Sequence, residues 1–419
     1  LVCLLVFKMT NFSLKMASAN IGVCRSVINI RFAYKFCSQN NIKTKLNLYA
    51  QRYSTGIDKS LKPKKSSLFI TLAGLGAGAL FGAGYSYLTW QTKYLPISND
   101  GVGNIAPVLP NLPDIEISRK INIPTDSSGL QLVLFQYPTC PFCCKVRAFL
   151  DYFGISYDVV EVNPVLRQQI KWTEYKKVPV LLAKVDGGYQ QLNDSSMIIS
   201  ALTSYLFDKN NNLRDVVKCY PSINYNDDNG IKKSEIMNRY FLMYQGDISD
   251  NRTKEEIMEE RKWRKWADEV LVHTLSPNVY RTTDEALQSF NWFSEVGEWE
   301  KLFSKWEKLL VIYVGAFAMF FIGKNLKKRH NLKEDVRQSL YDECNHWLRV
   351  INRKKTPYFG GNEPNLADLA VYGVLSSIEG CEAFQDLLKN TKIGPWYFSM
   401  KTHCIEHSGS SSGQGRVTS

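Results

Sequence analysis

The stretch QLVLFQYPTCPFCCKVRAFLDYF, residues 131–153, constrains the fold more tightly than any other part of the chain. QLVLFQY is a short apolar run rich in β-formers and reads as a strand. The residues after Cys140 place Val146, Phe149, Leu150 and Phe153 at helical spacing, and Pro141 suits a first helical turn, where its missing N–H costs nothing. A strand therefore runs almost directly into a helix, with Cys140 at the junction and Cys143 one turn behind. Such a pair is half of a zinc site, a redox or glutathione-handling thiol, or two buried cysteines.

The next residues extend the pattern. Residues 157–162 (YDVVEV) read as a strand, 163–172 as a short helix, 177–185 (KVPVLLAKV) as a strand, and YQQLND after the turn at Asp186-Gly187-Gly188 as another. A helix over 195–207 closes the unit. The order β-α-β-α-β-β-α is that of a thioredoxin-like, glutaredoxin-type α/β domain.

In that fold Cys140 sits at a helix N-terminus, where free N–H groups and the helix dipole stabilise a thiolate. Cys143 takes the resolving position of the CxxC pair, and Cys144 faces elsewhere as a packed residue. A structural zinc site needs a second ligand pair. The sequence has no second CxxC, and His273, His330, His346, His403 and His407 show no ligand spacing. Val178-Pro179 precedes a strand, as does the cis proline of thioredoxin-like proteins. Asp194-Ser195 opens the last helix, where a cap is ordinary and where the glutathione-binding branch of the fold grips the γ-glutamyl end of its ligand.

Beyond Lys233 strand signals fade. Residues 255–275 place Ile257, Trp263, Trp266, Val270 and Leu271 near one helical face, and further helices are expected at about 283–295, 299–326 and 332–351. The uncharged run 309–323 is short for a membrane span and reads as a buried core helix, with membrane-surface contact as the alternative. Asn365 is a natural N-cap for the next helix, with Asp368 able to reach back. An α/β thioredoxin-like unit followed by an all-α unit is the glutathione transferase architecture, with a ligand pocket between the two.

The net charge of +12 resides at one end of the 419-residue chain. Residues 1–65 hold twelve of the 52 Lys and Arg and one of the 40 acids, Asp58, so the remainder is nearly neutral. That distribution argues for a targeting leader and against nucleic-acid binding. Met9 or Met16 is the expected start. Residues 68–90, opening at Leu68, carry no charge and are long enough to cross ~30 Å of hydrocarbon. Gly74, Gly78 and Gly82 recur at GxxxG spacing, and Tyr85, Tyr87 and Trp90 mark an interfacial end. Lys62, Lys64 and Lys65 before the span keep the N-terminus cytosolic and send the body across, whereas glutathione chemistry favours the reducing cytosol. The ten cysteines are not at disulfide-framework spacing. The expected organisation is a leader (1–65), an anchor (66–92), a tether (93–127), the thioredoxin-like domain (128–208), a linker (209–232), the helical domain (233–400) and a disordered tail (401–419).

The segments TCPFCCKVRAFLDYFGISYDVVEVNPVLRQQIKW, YKKVPVLL, QLNDSSMIISAL, RKWRKWADEVLVHTLSPNVYRTTDEAL and GGNEPNLADLAVYGVL closely resemble the membrane-associated type 2 prostaglandin E synthases, over about residues 128–400. The resemblance implies an isomerase that converts the endoperoxide prostaglandin H2 to prostaglandin E2. It implies Cys140 as the essential thiol, Tyr137 as the group orienting the substrate, and Cys143 as a less essential partner. Phe142 would line the pocket, and Val178, Pro179, Asp194 and Ser195 would join Cys140 in holding glutathione. It further implies haem bound together with glutathione in a form that breaks the endoperoxide down, a homodimer, and a Golgi membrane with the body facing the cytosol; a mitochondrial membrane is the alternative. Residues 324–330 (KNLKKRH) read as a solvated helix end, or as a partner for a substrate carboxylate or haem propionates. His273 reads as a packed residue. Two other functions fit the motifs: a glutaredoxin-like thiol–disulfide oxidoreductase, and a membrane-anchored glutathione or haem binder without catalysis.

Overall fold

Strand β3 (Leu132–Gln136) is buried at every position because both faces of its sheet are covered. Leu132 and Leu134 point into a core shared with the helices, while Val133 and Phe135 point into a smaller core on the opposite face. The computed structural model describes residues 104–208, 212–226, 232–243 and 252–410. The leader and the anchor expected from the sequence lie outside the described residues, as does 411–419.

Around β3 the chain adds β1 (Val108–Leu109), β2 (Arg119–Ile121), helix α1 (Pro141–Tyr152), β4 (Tyr157–Glu161), β5 (Val180–Val185), β6 (Gly188–Asn193) and α2 (Ser195–Phe207). The sheet order is β1-β6-β5-β3-β4-β2, with β3 and β4 parallel and every other pair antiparallel. This is the expected thioredoxin-like unit with one addition at each edge. Residues 93–127 were expected to be a tether, but within them β1 and β2 pair with β6 and β4. Arg119 also donates to the buried Glu161 at 2.6 Å. Runs of two and three residues carry too little alternation to be read as strands.

The short helix expected over 163–172 is not formed. Only a 3-10 turn, Gln168–Ile170, is present. Asn163 Oδ1 accepts from the backbone N–H groups of Val165 and Leu166 at 2.9 and 2.8 Å, and Arg167 has φ +51°. Those side-chain bonds compete with helix nucleation beside Pro164.

The expected linker 209–232 contains α3 (Leu213–Lys218) and β7 (Ser222–Asn226), which pairs with β8 (Lys232–Ile236) in a separate hairpin. The helical unit comes next: α4 (Lys254–Trp266), α5 (Val272–Val279), α6 (Thr283–Val296), α7 (Trp299–Leu302), α8 (Lys305–Arg329), α9 (Val336–Lys354), α10 (Leu366–Ser376), α11 (Glu382–Asn390) and α12 (Ile393–Ile405). A π turn over Ala267–Leu271 joins α4 to α5. The extra residue of a π turn rotates the next helical turn about the axis, so Val270, expected on the buried face with Leu271, is exposed. The expected helix 299–326 breaks at Phe303, whose extended backbone separates α7 from α8. At α10 the capping box forms as expected: Asn365 accepts from Asp368 N–H, and Asp368 accepts from Asn365 N–H at 3.1 Å. The tail expected to be disordered from 401 continues α12 to Ile405, and Gly409 N–H reaches the Tyr152 carbonyl at 2.9 Å.

The two units meet where α10 crosses α1. A Cβ added at Gly373 would lie 2.5 Å from Lys145 Cα and 2.8 Å from Lys145 N, so the helix backbones approach as closely as a glycine allows. On an ordinary helix Gly→Ala stabilises by about 1 kcal/mol. Here the obstructing atoms are backbone, and Gly373→Ala is expected to lower stability by about 1–3 kcal/mol, read from the denaturation midpoint. A gain in stability would show that the close approach is not needed.

Candidate active site

Cys140 is the N-cap residue of α1, with Pro141 in the first turn as the sequence required. Its N–H donates to the Tyr137 carbonyl at 3.2 Å, and its carbonyl accepts from Cys144 N–H at 2.9 Å. These bonds fix the short segment between β3 and α1, and with it the sulfur. The Cys143 thiol donates to Cys140 Sγ and, despite burial, holds the Cys140 thiol well below the ordinary cysteine value; the Cys143 and Phe142 backbone N–H groups add to this. Burial and the neighbouring Cys140 sulfur push the Cys143 thiol well above its ordinary value. The pair therefore splits into a thiolate former and a proton keeper.

Cys144 is packed as expected. Its thiol donates to the Pro138 carbonyl at 3.3 Å, and Arg147 donates to its sulfur at 3.2 Å, to Pro138 O at 2.7 Å and to Gln136 Oε1 at 2.7 Å. Arg147 thus braces the segment that leads into Cys140.

Cys140 and Tyr137 are buried side by side along a narrow cleft between the two units. Pro138, Thr139, Val162 and Pro164 line it from the sheet side, and Phe293, Gly297, Trp299 and Leu302 from the helical side. The lining is mostly apolar, as suits a lipid-like ligand. Asn163 Nδ2 donates to the Leu302 carbonyl at 3.3 Å and ties the edges together.

The other expected residues do not line this cleft. Val178 and Pro179 are joined by a cis peptide, and Val178 packs in the same small core as Tyr137, Cys140 and Cys143. The Val178 backbone N–H and C=O carry no hydrogen bond among the described residues. Phe142 is half-buried between the two cores. Asp194 caps α2 through Oδ1, accepting from Ser196 and Met197 N–H at 2.9 and 3.2 Å, and its Oδ2 lies 3.7 Å from Arg239. It holds φ +70°, a conformation that costs a non-glycine residue about 1–3 kcal/mol and that concentrates at binding sites. Ser195 is buried, and its hydroxyl has no hydrogen-bond partner among the described residues. His273 stacks on His330 with ring centroids 4.0 Å apart, which brings the end of the basic run 324–330 onto α5.

Sequence reasoning missed a polar seam behind the thiols. Lys145, on the buried side of α1, donates to Ser196 Oγ at 3.0 Å and forms an ion pair with Asp268. Asp268 also accepts from Ser196 Oγ at 2.6 Å and Tyr240 OH at 3.1 Å. The π turn presents Asp268 to this seam. Burial would raise the Asp268 carboxyl, but the Lys145 ammonium and the hydroxyl donors outweigh it and hold the group below its ordinary value. A lysine among apolar helix positions carries no pattern that announces its partner 123 residues away.

The glutaredoxin family matches residues 132–187. Prostaglandin E synthase 2 of Mus musculus is 49% identical over 277 residues, covering 66% of this chain and 71% of its own. Prostaglandin E synthase 2 of Danio rerio is 48% identical over 276 residues, covering 65% and 71%. This chain belongs to the prostaglandin E synthase 2 family. Among solved structures, glutathione transferase F7 from Populus trichocarpa is similar with a TM-score of 0.36 and 13% identity, covering 67% of this chain and 99% of that one.

Two substitutions probe these electrostatics. Cys143→Ala removes the thiol donor, so the pH midpoint for alkylation of Cys140 is expected to rise toward the ordinary cysteine value; an unchanged midpoint would leave the helix terminus as the whole cause. Asp268→Asn strands Lys145 and is expected to cost about 3 kcal/mol near neutral pH. Because the folded carboxyl is depressed, its stabilisation is present above about pH 4 and lost as pH falls through the folded value. The variant is expected to lack that part of the acid dependence, as read from denaturation midpoints across pH.

Proposed function

We propose that this chain isomerises prostaglandin H2 to prostaglandin E2, with Cys140 as the reacting group. The observation that carries the reading is a lowered thiol at a helix N-terminus, opening onto an apolar cleft between the two units. The reaction moves one proton with no net oxidation. The Cys140 thiolate takes the proton from the carbon bearing one peroxide oxygen. The C–H electron pair becomes the ketone π bond, the O–O bond breaks, and the other oxygen leaves with its electrons. That oxygen takes the proton back from Cys140, which restores the thiolate. Tyr137 beside Cys140 orients the endoperoxide, and the cleft walls exclude water. Cys143 stays protonated and steadies the thiolate.

Glutathione fits the residues present. The open backbone groups of Val178 suit the peptide part of the ligand, and Ser195 and the Asp194 carboxylate suit the charged γ-glutamyl end, with Phe142 and Pro179 as walls. When bound, glutathione supplies a second thiol beside Cys140. The cleft lining holds no basic side chain for haem propionates and no histidine, and no step here passes through haem. In the same reading the helical unit is of the glutathione transferase type. Residues 68–90 anchor the body at a Golgi membrane, with the body on the cytosolic side.

Thiol–disulfide exchange is the second reading, favoured by the Cys140–Cys143 hydrogen bond and the glutaredoxin match. One experiment separates the two. Full-length haem-free protein is given prostaglandin H2 and products are identified by mass spectrometry, with Cys140→Ser and Cys143→Ser in parallel. Cys140→Ser is expected to lose about 100-fold or more, and Cys143→Ser to keep most of the isomerase activity. Loss of activity in both variants, together with dithiol reductase activity in the wild type, would favour the exchange reading.

A further inference from the structure

Helix α8 was expected from its uncharged run to be a buried core helix, and only one face of it is buried. Ile312, Gly315, Ala316, Met319, Gly323 and Leu326 are buried. A Cβ at Gly315 would lie 2.4 Å from the Phe290 ring, so this face is locked onto α6. The opposite face is apolar and open. Trp306 is 65% exposed, Leu309 54%, Leu310 51%, Tyr313 61%, Phe317 62% and Phe321 49%. Single exposed apolar residues are ordinary, but a contiguous stripe about 23 Å long at 1.5 Å per residue marks a contact surface.

The charges around the stripe select its occupant. Between Lys308 and Arg329 the sequence holds no acid, and Lys324, Lys328 and Arg329 at one end and Lys305 at the other are exposed. The acids of the first turns are already engaged: Glu298 with Lys301, Glu300 with Lys308, and Glu307 with Ser304. A second copy laid on the stripe would bury the basic end with no free carboxylate on the stripe to meet it. An anionic lipid surface supplies both partners, acyl chains for the aromatic side chains and headgroups for the lysines, as for helices that lie in the membrane interface. The helix is long and apolar enough to cross a membrane, yet its packed face holds it alongside the fold.

The chain's connectivity agrees. Trp299 and Leu302, which line the Cys140 cleft, lie directly before α8 in the chain, so the stripe starts beside the cleft. We propose that the open face of α8 is a second membrane contact, lying in the interface of an anionic bilayer and holding the Cys140 cleft beside the lipid. This contact depends on the fold and the charge pattern, not on the reaction assigned to Cys140.

The test places the photo-reactive residue p-benzoylphenylalanine at position 317, and separately at 313, of the full chain reconstituted in vesicles. Both positions are exposed and aromatic, so folding is preserved. The expected result is a protein–lipid adduct at both positions. The yield should be several-fold higher with phosphatidylserine than with phosphatidylcholine alone, and should drop several-fold in the Lys328→Glu, Arg329→Glu double variant. A chain-to-chain adduct would overturn the proposal in favour of a second copy. No lipid adduct, or a yield indifferent to lipid charge and to the double variant, would overturn it outright.

Discussion

The close crossing of α10 over α1 at Gly373 is the contact on which the rest of the molecule depends. Helix α1 carries the cysteine pair at its start and Lys145 on its buried side, so whatever positions α1 positions the chemistry. Without a side chain at Gly373 the backbones of the two helices come within side-chain distance, and apolar burial from Val146, Phe149 and Leu150 on one side and Leu369, Val371 and Leu375 on the other locks them. Each such side chain contributes about 1.5–3 kcal/mol on burial. The capping box of Asn365 and Asp368 fixes the start of α10, and the close approach at Gly373 fixes where it crosses α1.

Electrostatics then divides the site. At the N-terminus of α1 a thiolate is favoured because N–H groups point at it and a protonated thiol sits one turn behind. One turn further along, a buried ammonium is tolerated only because Asp268 and Ser196 meet it from the helical unit and from α2. The seam is costly to desolvate and strongly directional, which makes it a poor source of net stability and a good source of alignment. It ties the Asp194–Ser196 end of α2 to the cysteine helix, which brings the two halves of the glutathione reading into one frame.

Helix α8 shows how a single uncharged run can present two different faces, one packed and one open. Its small residues, Gly315, Ala316 and Gly323, let it approach α6 and Tyr280 closely on one side. Its large aromatic residues lie on the other side, where a soluble core would have put them inside. Composition was the same under both outcomes, and only the packing of one face against α6 and Tyr280 separated them.

Much of the site was legible in the sequence because its signals are local. The strand-to-helix junction at Cys140, the proline in the first turn, the Val178-Pro179 pair, the cap at Asp194 and the Asn365–Asp368 box each arise within a few residues of chain. The edge strands β1 and β2, the loop that replaces the helix at 163–172 and the π turn were not legible. They turn on one or two residues, too few to carry a period. The Lys145–Asp268 pair, the Gly373 crossing and the open face of α8 were decided by tertiary structure alone, because each depends on which surfaces meet across more than a hundred residues of chain or fail to meet at all.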